Sequence, residues 1–266
     1  SNTRKFILDS FRDPSLKTIA VLGSGWLLDV PLEELCDRFE RVFLVDINHP
    51  VQIRKKVGSL KRVELIDTDL SGGAMVQLWE MVRKKTRVQG KELLNQLELH
   101  PPLEQLKPDA LISVNLLNQL DIMLCDYMSS HGYFQQEEPD LLRSALQNFH
   151  LQWITDTPGC LISDVEEISK NKKGNSSAKS LLFTTLPEGL RRDSWNWDFD
   201  TRGTYRSNSL TPQLVKAVAP DSARPESYWL PHGFWLQRQR CQPKRAYSRS
   251  SSNRQVARPM TRSAPP

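Results

Sequence analysis

Two glycines and one acid are the residues of this sequence best suited to hold a small molecule. Gly23 ends the apolar run 17–23, and Gly25 lies in the loop that follows it. Glycine belongs where a chain leaves a strand sharply and where a ligand approaches the backbone without meeting a β-carbon. Asp46 ends the next apolar run, 23 residues after Gly23. That separation is close to the one at which a carboxylate receives both ribose hydroxyls of a nucleoside.

Other polar and apolar residues follow the same strand-like runs and extend the hypothesis of a nucleoside site. Ser24 belongs to the glycine loop, and Ile47 is placed to cover one face of an adenine. Asp69, with Leu70, is better placed than Asp67 to accept a hydrogen bond from an adenine amino group. Each has an alternative: a turn without ligand for the loop, a cap for Asp46, core packing for Ile47 and solvated turn acids for Asp67 and Asp69.

Residues near two later strands are candidates for an acceptor site. Asn115 lies at the end of the fourth apolar run, where the carboxyl ends of parallel strands open into a ligand crevice. A general base is needed only if the reacting group must lose a proton, and Asp164, Glu166 and His232 are candidates for that role. Each of the three also has a purely structural interpretation.

Several reaction classes lack their motifs. The sequence has no Gly-x-Ser-x-Gly nucleophile elbow and no Gly-Lys-Ser/Thr phosphate loop, and its five histidines show no metal-ligand spacing. Its four cysteines are scattered without a Cys-x-x-Cys pair, so we expect reduced thiols. Leu28 stands where a dinucleotide-binding turn has its third glycine, which disfavours an NAD fingerprint.

Alternating strand and helix periods predict the scaffold that holds these residues. Predicted strands are 17–23, 41–47, 62–70, 108–117 and 159–167. Predicted helical segments are one from about 30, with Asp29 as its N-cap and Pro31 in its first turn, then 49–60, 73–106 and 139–157. This order predicts βαβ units, a parallel sheet and an α/β fold.

The pattern changes near the end. Residues 193–205 and 227–238 alternate aromatic and polar side chains and are predicted as strands with an antiparallel edge. A short helix is predicted at 211–220 and a flexible loop at 171–180.

Charge and composition divide the chain into a main domain, 1–237, and a basic tail, 238–266. The tail holds eight of the 36 Lys and Arg residues and none of the 31 Asp and Glu, which leaves 28 basic against 31 acidic groups upstream, a net of −3. Being rich in Ser, Arg, Pro and Gln, it is predicted to be disordered, and weak contact with a nucleic acid or an acidic partner is an option. With no signal peptide or membrane-length apolar run, we expect a cytoplasmic protein.

Together these segments resemble the class I S-adenosylmethionine-dependent methyltransferases, the Rossmann-like, seven-stranded group. The resemblance covers roughly residues 17–237 and rests on "VLGSG", "LVDI", "IDTDL" and "ALISVNLL", followed by an aromatic closing strand pair. It implies a doubly wound, mostly parallel seven-stranded sheet with a reversed strand inserted beside the sixth. It also implies S-adenosylmethionine as cofactor and an unspecified methyl acceptor.

The resemblance assigns roles to residues. The loop Gly23, Ser24 and Gly25 would run along the methionine part, Asp46 would hold the ribose, and Asp69 with Leu70 would contact adenine. Asn115 would lie near the sulfonium and the acceptor entrance.

Departures from the family pattern keep two alternatives open. The family often has an acid two residues before the first glycine and a glycine two after the second, where this chain has Val21 and Leu27. The alternative they favour is a catalytically inactive binding or scaffold module of the same fold. An NAD(P)-dependent oxidoreductase is the third hypothesis. The Asn/Asp-Pro-Pro-aromatic motif of enzymes that methylate nucleic-acid bases is absent, since "VNLLN" stands in its place.

Overall fold

Alternating strands and helices form one mixed sheet with helices on both faces. We describe the chain from a computed structural model, for residues 1–86, 88, 90–134, 138–171, 176–187, 191–200 and 209–219. The helices are α1 (Asn2–Ser10), α2 (Leu32–Arg38), α3 (Val51–Val57), α4 (Ala74–Arg83), α5 (Gly90–Asn95), α6 (Ile122–Ser130) and α7 (Glu138–Thr155). The strands are β1 (Thr18–Leu22), β2 (Arg41–Asp46), β3 (Val63–Asp67), β4 (Ala110–Val114), β5 (Gly159–Asn171), β6 (Ser176–Ser180), β7 (Arg191–Asp200) and β8 (Ser209–Ala219).

The strand order is β3-β2-β1-β4-β5-β8-β7, with β6 paired to β5. Strands β1 to β5 are parallel, whereas β8 runs antiparallel to both β5 and β7. The order reverses between β1 and β4, and in open α/β sheets such a switch point creates a crevice at the carboxyl ends of the strands. The predicted doubly wound, mostly parallel sheet with an inserted antiparallel strand is therefore confirmed, and β6 is an additional short strand.

Apolar residues on both faces of the central strands explain the layered architecture. Along β1, Ile19 and Val21 belong to a core cluster that includes residues of α1, α2 and α3. Ala20 and Leu22 point to the opposite face, where Trp153 of α7 contributes. A strand buried on both faces is a continuous apolar run, which is why β1, β2 and β4 were predictable from the sequence.

Three predicted segments differ from the structure. Residues 211–220 were predicted as a short helix, but 211–219 lie in β8, which is paired along both edges. The short apolar stretch around Val215 fits either period, and the pairing with β5 and β7 decides between them. Residues 73–106 form two separate helices, α4 and α5, and part of the predicted loop 171–180 forms β6.

The predicted N-cap of α2 is also wrong. Pro31 occupies the cap position, without a side-chain cap hydrogen bond, and the helix begins at Leu32. Asp29 instead accepts a hydrogen bond from the Ser1 hydroxyl at 3.3 Å. Helices α1 and α6 were not predicted. The strand predicted at 227–238 and the tail lie outside the described residues, and the domain boundary stays a prediction.

A glycine is required at position 23 for two reasons. Its φ is +72°, and a β-carbon added there would lie 2.8 Å from the backbone oxygen of Val114. Gly132 has a similar φ of +75° with nothing within 4 Å of its would-be β-carbon. A substitution at Gly132 therefore measures the cost of the left-handed conformation without a clash.

We expect Gly23→Ala to lower the free energy of unfolding by about 3 kcal/mol or more, since left-handed strain and a backbone clash add. Gly132→Ala should cost about 1 kcal/mol, from strain alone. Urea denaturation of the two variants measures the difference. Equal losses would contradict the assigned contact with β4.

Candidate functional site

Backbone hydrogen bonds to the end of β2 hold the glycine loop that follows β1. The N–H groups of Gly23 and Ser24 donate to the carbonyl oxygen of Val45 at 3.0 and 3.3 Å. The Gly25 N–H donates to Asp46 Oδ2 at 2.8 Å. The first three loop residues are thus fixed against the neighbouring strand, while the would-be β-carbon of Gly25 comes no nearer than 3.8 Å to another heavy atom.

Asp46 is oriented by two backbone donors. Besides the Gly25 bond, its Oδ1 accepts the N–H of Ile47 at 2.7 Å. A carboxylate has about four lone-pair sites, so each oxygen retains one acceptor position. Ile47 itself is 54% exposed, so its side chain does not pack in the core.

Leu27 occupies a strained position in the loop. Its φ is +57°, a left-handed conformation that costs a residue other than glycine about 1–2 kcal/mol. Its side chain is buried in the core cluster beside α1 and α2, and this burial offsets the strain. The loop therefore keeps a glycine-type backbone at this position with leucine in place.

Asp69 and Leu70 make mainly structural contacts. The Asp69 oxygens accept hydrogen bonds from the N–H and the hydroxyl of Ser71, both at 2.8 Å. The Ser71 hydroxyl in turn accepts the Met75 N–H at the start of α4. Leu70 is buried with Leu22 and other residues of the second core cluster. Asp69 is a turn residue here, with acceptor lone pairs left over for a ligand.

Asn115 carries an unpartnered polar atom at the end of β4. Its backbone has φ +51°, and its N–H donates to Ile162 of β5. The side-chain Oδ1 is buried and has no hydrogen-bond partner among the described residues. A buried acceptor without a partner is costly, so it marks a position where a donor from outside the described chain fits.

Asp164 is the second such acceptor, in β5. The residue is 4% exposed, and its Oδ1 has no partner within the described part of the chain. Burial raises the pKa of the carboxyl to about 6, and repulsion from Asp29 of the glycine loop adds to the rise. A β-bulge separates Asp164 from Glu166, which is partly exposed. His232, the third predicted base, lies outside the described residues.

A series of hydrogen-bonded polar side chains that begins at Ser24 of the glycine loop was not predicted from the sequence. The Ser24 hydroxyl lies 3.0 Å from His49 Nε2, and His49 Nδ1 lies 2.5 Å from Asp67 Oδ1. Arg54 forms an ion pair with the other Asp67 oxygen. Hydrogen bonds from His49 and Arg54 lower the pKa of the Asp67 carboxyl. Asp67, the less favoured of the two turn acids in the sequence, is therefore the one connected to the glycine loop.

The surface of this edge is apolar around a polar interior. Exposed apolar side chains lie on the glycine loop, after β2 and at the start of α6: Trp26, Leu28, Ile47, Ile122 and Met123. They follow the carboxyl ends of β1, β2 and β4 along the chain, the edge at which Asp46 and Asn115 also lie. Apolar side chains next to a few polar groups are typical of the lining of a ligand site.

Other parts of the described structure are less suited to chemistry. A groove of about 650 Å³ between residues 180–186 and strands β7 and β8 includes none of the predicted site residues. No group of three His, Cys, Asp or Glu side chains in the described ranges is arranged to hold a metal ion. None of the described helices is both long and apolar enough to cross a bilayer.

No protein-family model and no curated protein matches the chain. Solved structures similar to it include the 23S rRNA methyltransferase ErmE, with 12% identity, a TM-score of 0.34, and 86% of this chain and 69% of that chain covered. Another is the 1,6-didemethyltoxoflavin-N1-methyltransferase of Burkholderia thailandensis, with 13% identity, a TM-score of 0.36, and 83% of this chain and 79% of that chain covered. A third is a putative S-adenosylmethionine dependent methyltransferase from Listeria monocytogenes, with 7% identity, a TM-score of 0.35, and 82% of this chain and 98% of that chain covered. The assignment of a Rossmann-like fold rests on the strand order of the sheet.

The raised pKa of Asp164 predicts a pH-dependent stability difference. The folded protein holds this proton more tightly than the unfolded chain, so ionisation costs stability as the pH rises from about 4 to about 6. Asp164→Asn removes that cost. Relative to the natural chain, the variant should gain close to nothing at pH 4 and up to about 3 kcal/mol at pH 8.

Urea denaturation at both pH values measures this difference, with the exposed-site variant Asp37→Asn as control. Burial lowers the pKa of His150 to about 3, so this histidine makes the fold less stable as the pH falls. The natural chain and both variants share that contribution, so it cancels in the comparison. A gain that is the same at pH 4 and pH 8 would contradict the assigned pKa.

Proposed function

We propose that this chain is an S-adenosylmethionine-dependent methyltransferase that binds its cofactor at the carboxyl ends of β1, β2 and β3. The observation that carries the proposal is Asp46, whose carboxylate is oriented by two backbone N–H groups. One acceptor position remains on each oxygen. Two acceptors held at fixed spacing suit the two adjacent hydroxyls of a ribose.

The residues around Asp46 fit the rest of such a cofactor. The open side of Gly25 leaves room for the methionine part along the loop, and exposed Ile47 is available to cover adenine. The remaining lone pairs of Asp69 suit the adenine amino group, with Leu70 beneath it as packing. The unpartnered Asn115 Oδ1 suits a hydrogen-bond donor near the acceptor entrance.

The chain's own residues would act mainly by positioning and by excluding water. When bound, S-adenosylmethionine supplies an activated methyl group, and its transfer is an in-line displacement that depends on alignment. The apolar rim formed by Trp26, Leu28 and Ile47 limits water at the crevice. For an acceptor that must lose a proton, Asp164 is the base we favour over Glu166 and His232, since a carboxyl with a pKa of about 6 is ionised at neutral pH and still basic enough to take a proton.

Two alternatives predict different binding. An inactive module of the same fold is favoured by the strained Leu27, and it would lack turnover. An NAD(P)-dependent oxidoreductase needs its pyrophosphate at a helix N-terminus directly after the glycines. Here α2 begins at Leu32, nine residues after Gly23, and Leu28 is 78% exposed in the intervening loop. That spacing supports the methyltransferase over the oxidoreductase.

The partners and the location remain part of the proposal. The methyl acceptor is a small molecule or a macromolecule of unspecified class. The basic tail 238–266 is proposed to make weak contacts with a nucleic acid or an acidic partner, through release of counterions. We propose a cytoplasmic location.

Calorimetric titration with S-adenosylmethionine, S-adenosylhomocysteine and NAD should show binding of the first two only. Asp46→Ala should weaken S-adenosylhomocysteine binding about hundredfold, because two hydrogen bonds to a charged group are lost. Asp37→Ala, at an exposed position in α2, should bind like the natural chain.

Tight binding by Asp46→Ala would refute the placement of the ribose, and binding of NAD alone would refute the function. A methyl-release assay over candidate acceptors then separates an enzyme from an inactive module.

A further inference from the structure

Ser24, His49 and Asp67 join the ends of three neighbouring strands in one hydrogen-bonded chain. Ser24 and His49 are 3% and 2% exposed, whereas the Asp67 side chain is 39% exposed. Arg54 fixes the outer end: it pairs with Asp67, and its Nε donates to the His49 carbonyl oxygen at 3.1 Å. His49 is therefore held at both ring nitrogens and at its backbone carbonyl oxygen.

The partners of the imidazole and of the serine orient both groups. Asp67 is a carboxylate that only accepts, so His49 Nδ1 carries the proton of this hydrogen bond. The Ser24 hydroxyl lies 3.0 Å from His49 Nε2 and 3.4 Å from the Val45 carbonyl oxygen. These two partners hold the buried serine side chain and, through it, the peptide that carries it.

Ser, His and Asp in this order are also the side chains of a nucleophilic triad, but the backbone does not support that chemistry. An acyl site needs free N–H donors next to the nucleophile. Here the N–H of Ser24 donates to Val45, that of Gly25 to Asp46, and that of Leu27 to the Ser24 carbonyl oxygen. With these donors committed and Ser24 buried, the chain of contacts serves to position the loop.

We propose that His49 is a positioning residue for the cofactor loop, acting through Ser24 and held by Asp67. This inference rests on the proposed function. Asp46 fixes the Gly25 end of the Ser24–Gly25 peptide, and His49 fixes the Ser24 end, so the loop is ordered before the ligand arrives. Without His49 the loop loses that order and regains it only on binding, which lowers affinity.

The experiment is calorimetric titration of S-adenosylhomocysteine into the full chain and its variants. His49→Ala should weaken binding by about tenfold or more. His49→Gln, which keeps one donor and one acceptor, should recover part of the loss. Asp67→Asn removes the charge of a side chain that is 39% exposed while keeping its shape, and it should weaken binding to an intermediate extent.

The matched control is His131→Ala. His131 also contacts a serine, Ser130, but on the exposed surface at the end of α6, and its loss should leave binding unchanged. Proton NMR of the ligand-free chain should show a far-downfield imidazole N–H resonance that disappears in His49→Ala and shifts in Asp67→Asn. If His49 were purely structural, His49→Ala would lower the free energy of unfolding, and His49→Gln would not recover S-adenosylhomocysteine binding.

The two proposals fail in different ways. If Asp46→Ala loses binding while His49→Ala, His49→Gln and Asp67→Asn bind like the natural chain, the positioning role is overturned and the proposed function stands. If the natural chain does not bind S-adenosylhomocysteine, both are overturned. Hydrolysis of p-nitrophenyl acetate that depends on Ser24 would overturn the positioning role in favour of a nucleophilic one.

Discussion

The attachment of the glycine loop to the end of β2 is the constraint on which the rest of the candidate site depends. The carbonyl oxygen of Val45 accepts from Gly23 and Ser24, and the carboxylate of Asp46 accepts from Gly25. Backbone N–H groups that leave a sheet need new partners, because an unpaired buried donor is costly. Val45 and Asp46 supply those partners, and in doing so they determine where the carboxylate points. The loop and its acid form one structural unit.

The end of β4 closes this unit from the other side. Gly23 lies so close to the carbonyl oxygen of Val114 that a side chain there has no room. Asn115 follows Val114 in a left-handed conformation, and its N–H donates to β5. The loop is thus confined between β2 and β4, on either side of the switch in strand order. A crevice placed there has walls whose backbone geometry is already determined before any ligand binds.

The main architecture could be predicted from the sequence because the central strands β1, β2 and β4 are buried on both faces and their apolar runs are continuous. Asp46 was identifiable for the same reason, since it ends such a run. Residues 211–220 were mistaken for a helix because periodicity alone does not separate a short buried strand from a helix. The contact between His49 and Asp67 could not be found from spacing, because it depends on β2 and β3 being neighbours with Asp46 opposite Asp67. Such pairings come from tertiary register, which no local pattern contains.

The charges at this edge of the sheet distinguish between ligand classes. The loops and strand ends around the crevice carry the following acids: Asp29, Asp46, Asp67, Asp69 and Asp164. Arg54 is paired with Asp67, and Arg4 donates to the Leu28 carbonyl oxygen. At neutral pH the acids outnumber these two cations, since even Asp164, with its pKa raised to about 6, is mostly ionised there.

Such an excess attracts a ligand with positive centres and repels an anionic one. The proposed cofactor carries a sulfonium, an ammonium and a carboxylate group and is a net cation, whereas a dinucleotide brings a doubly charged pyrophosphate. The repulsion would be strongest next to the bare backbone of Gly25, where the pyrophosphate would have to lie beside Asp46 without a helix N-terminus to compensate. Electrostatics therefore favours the same ligand as the hydrogen-bonding capacity of Asp46, and four of the five acids that contribute to it are residues other than Asp46.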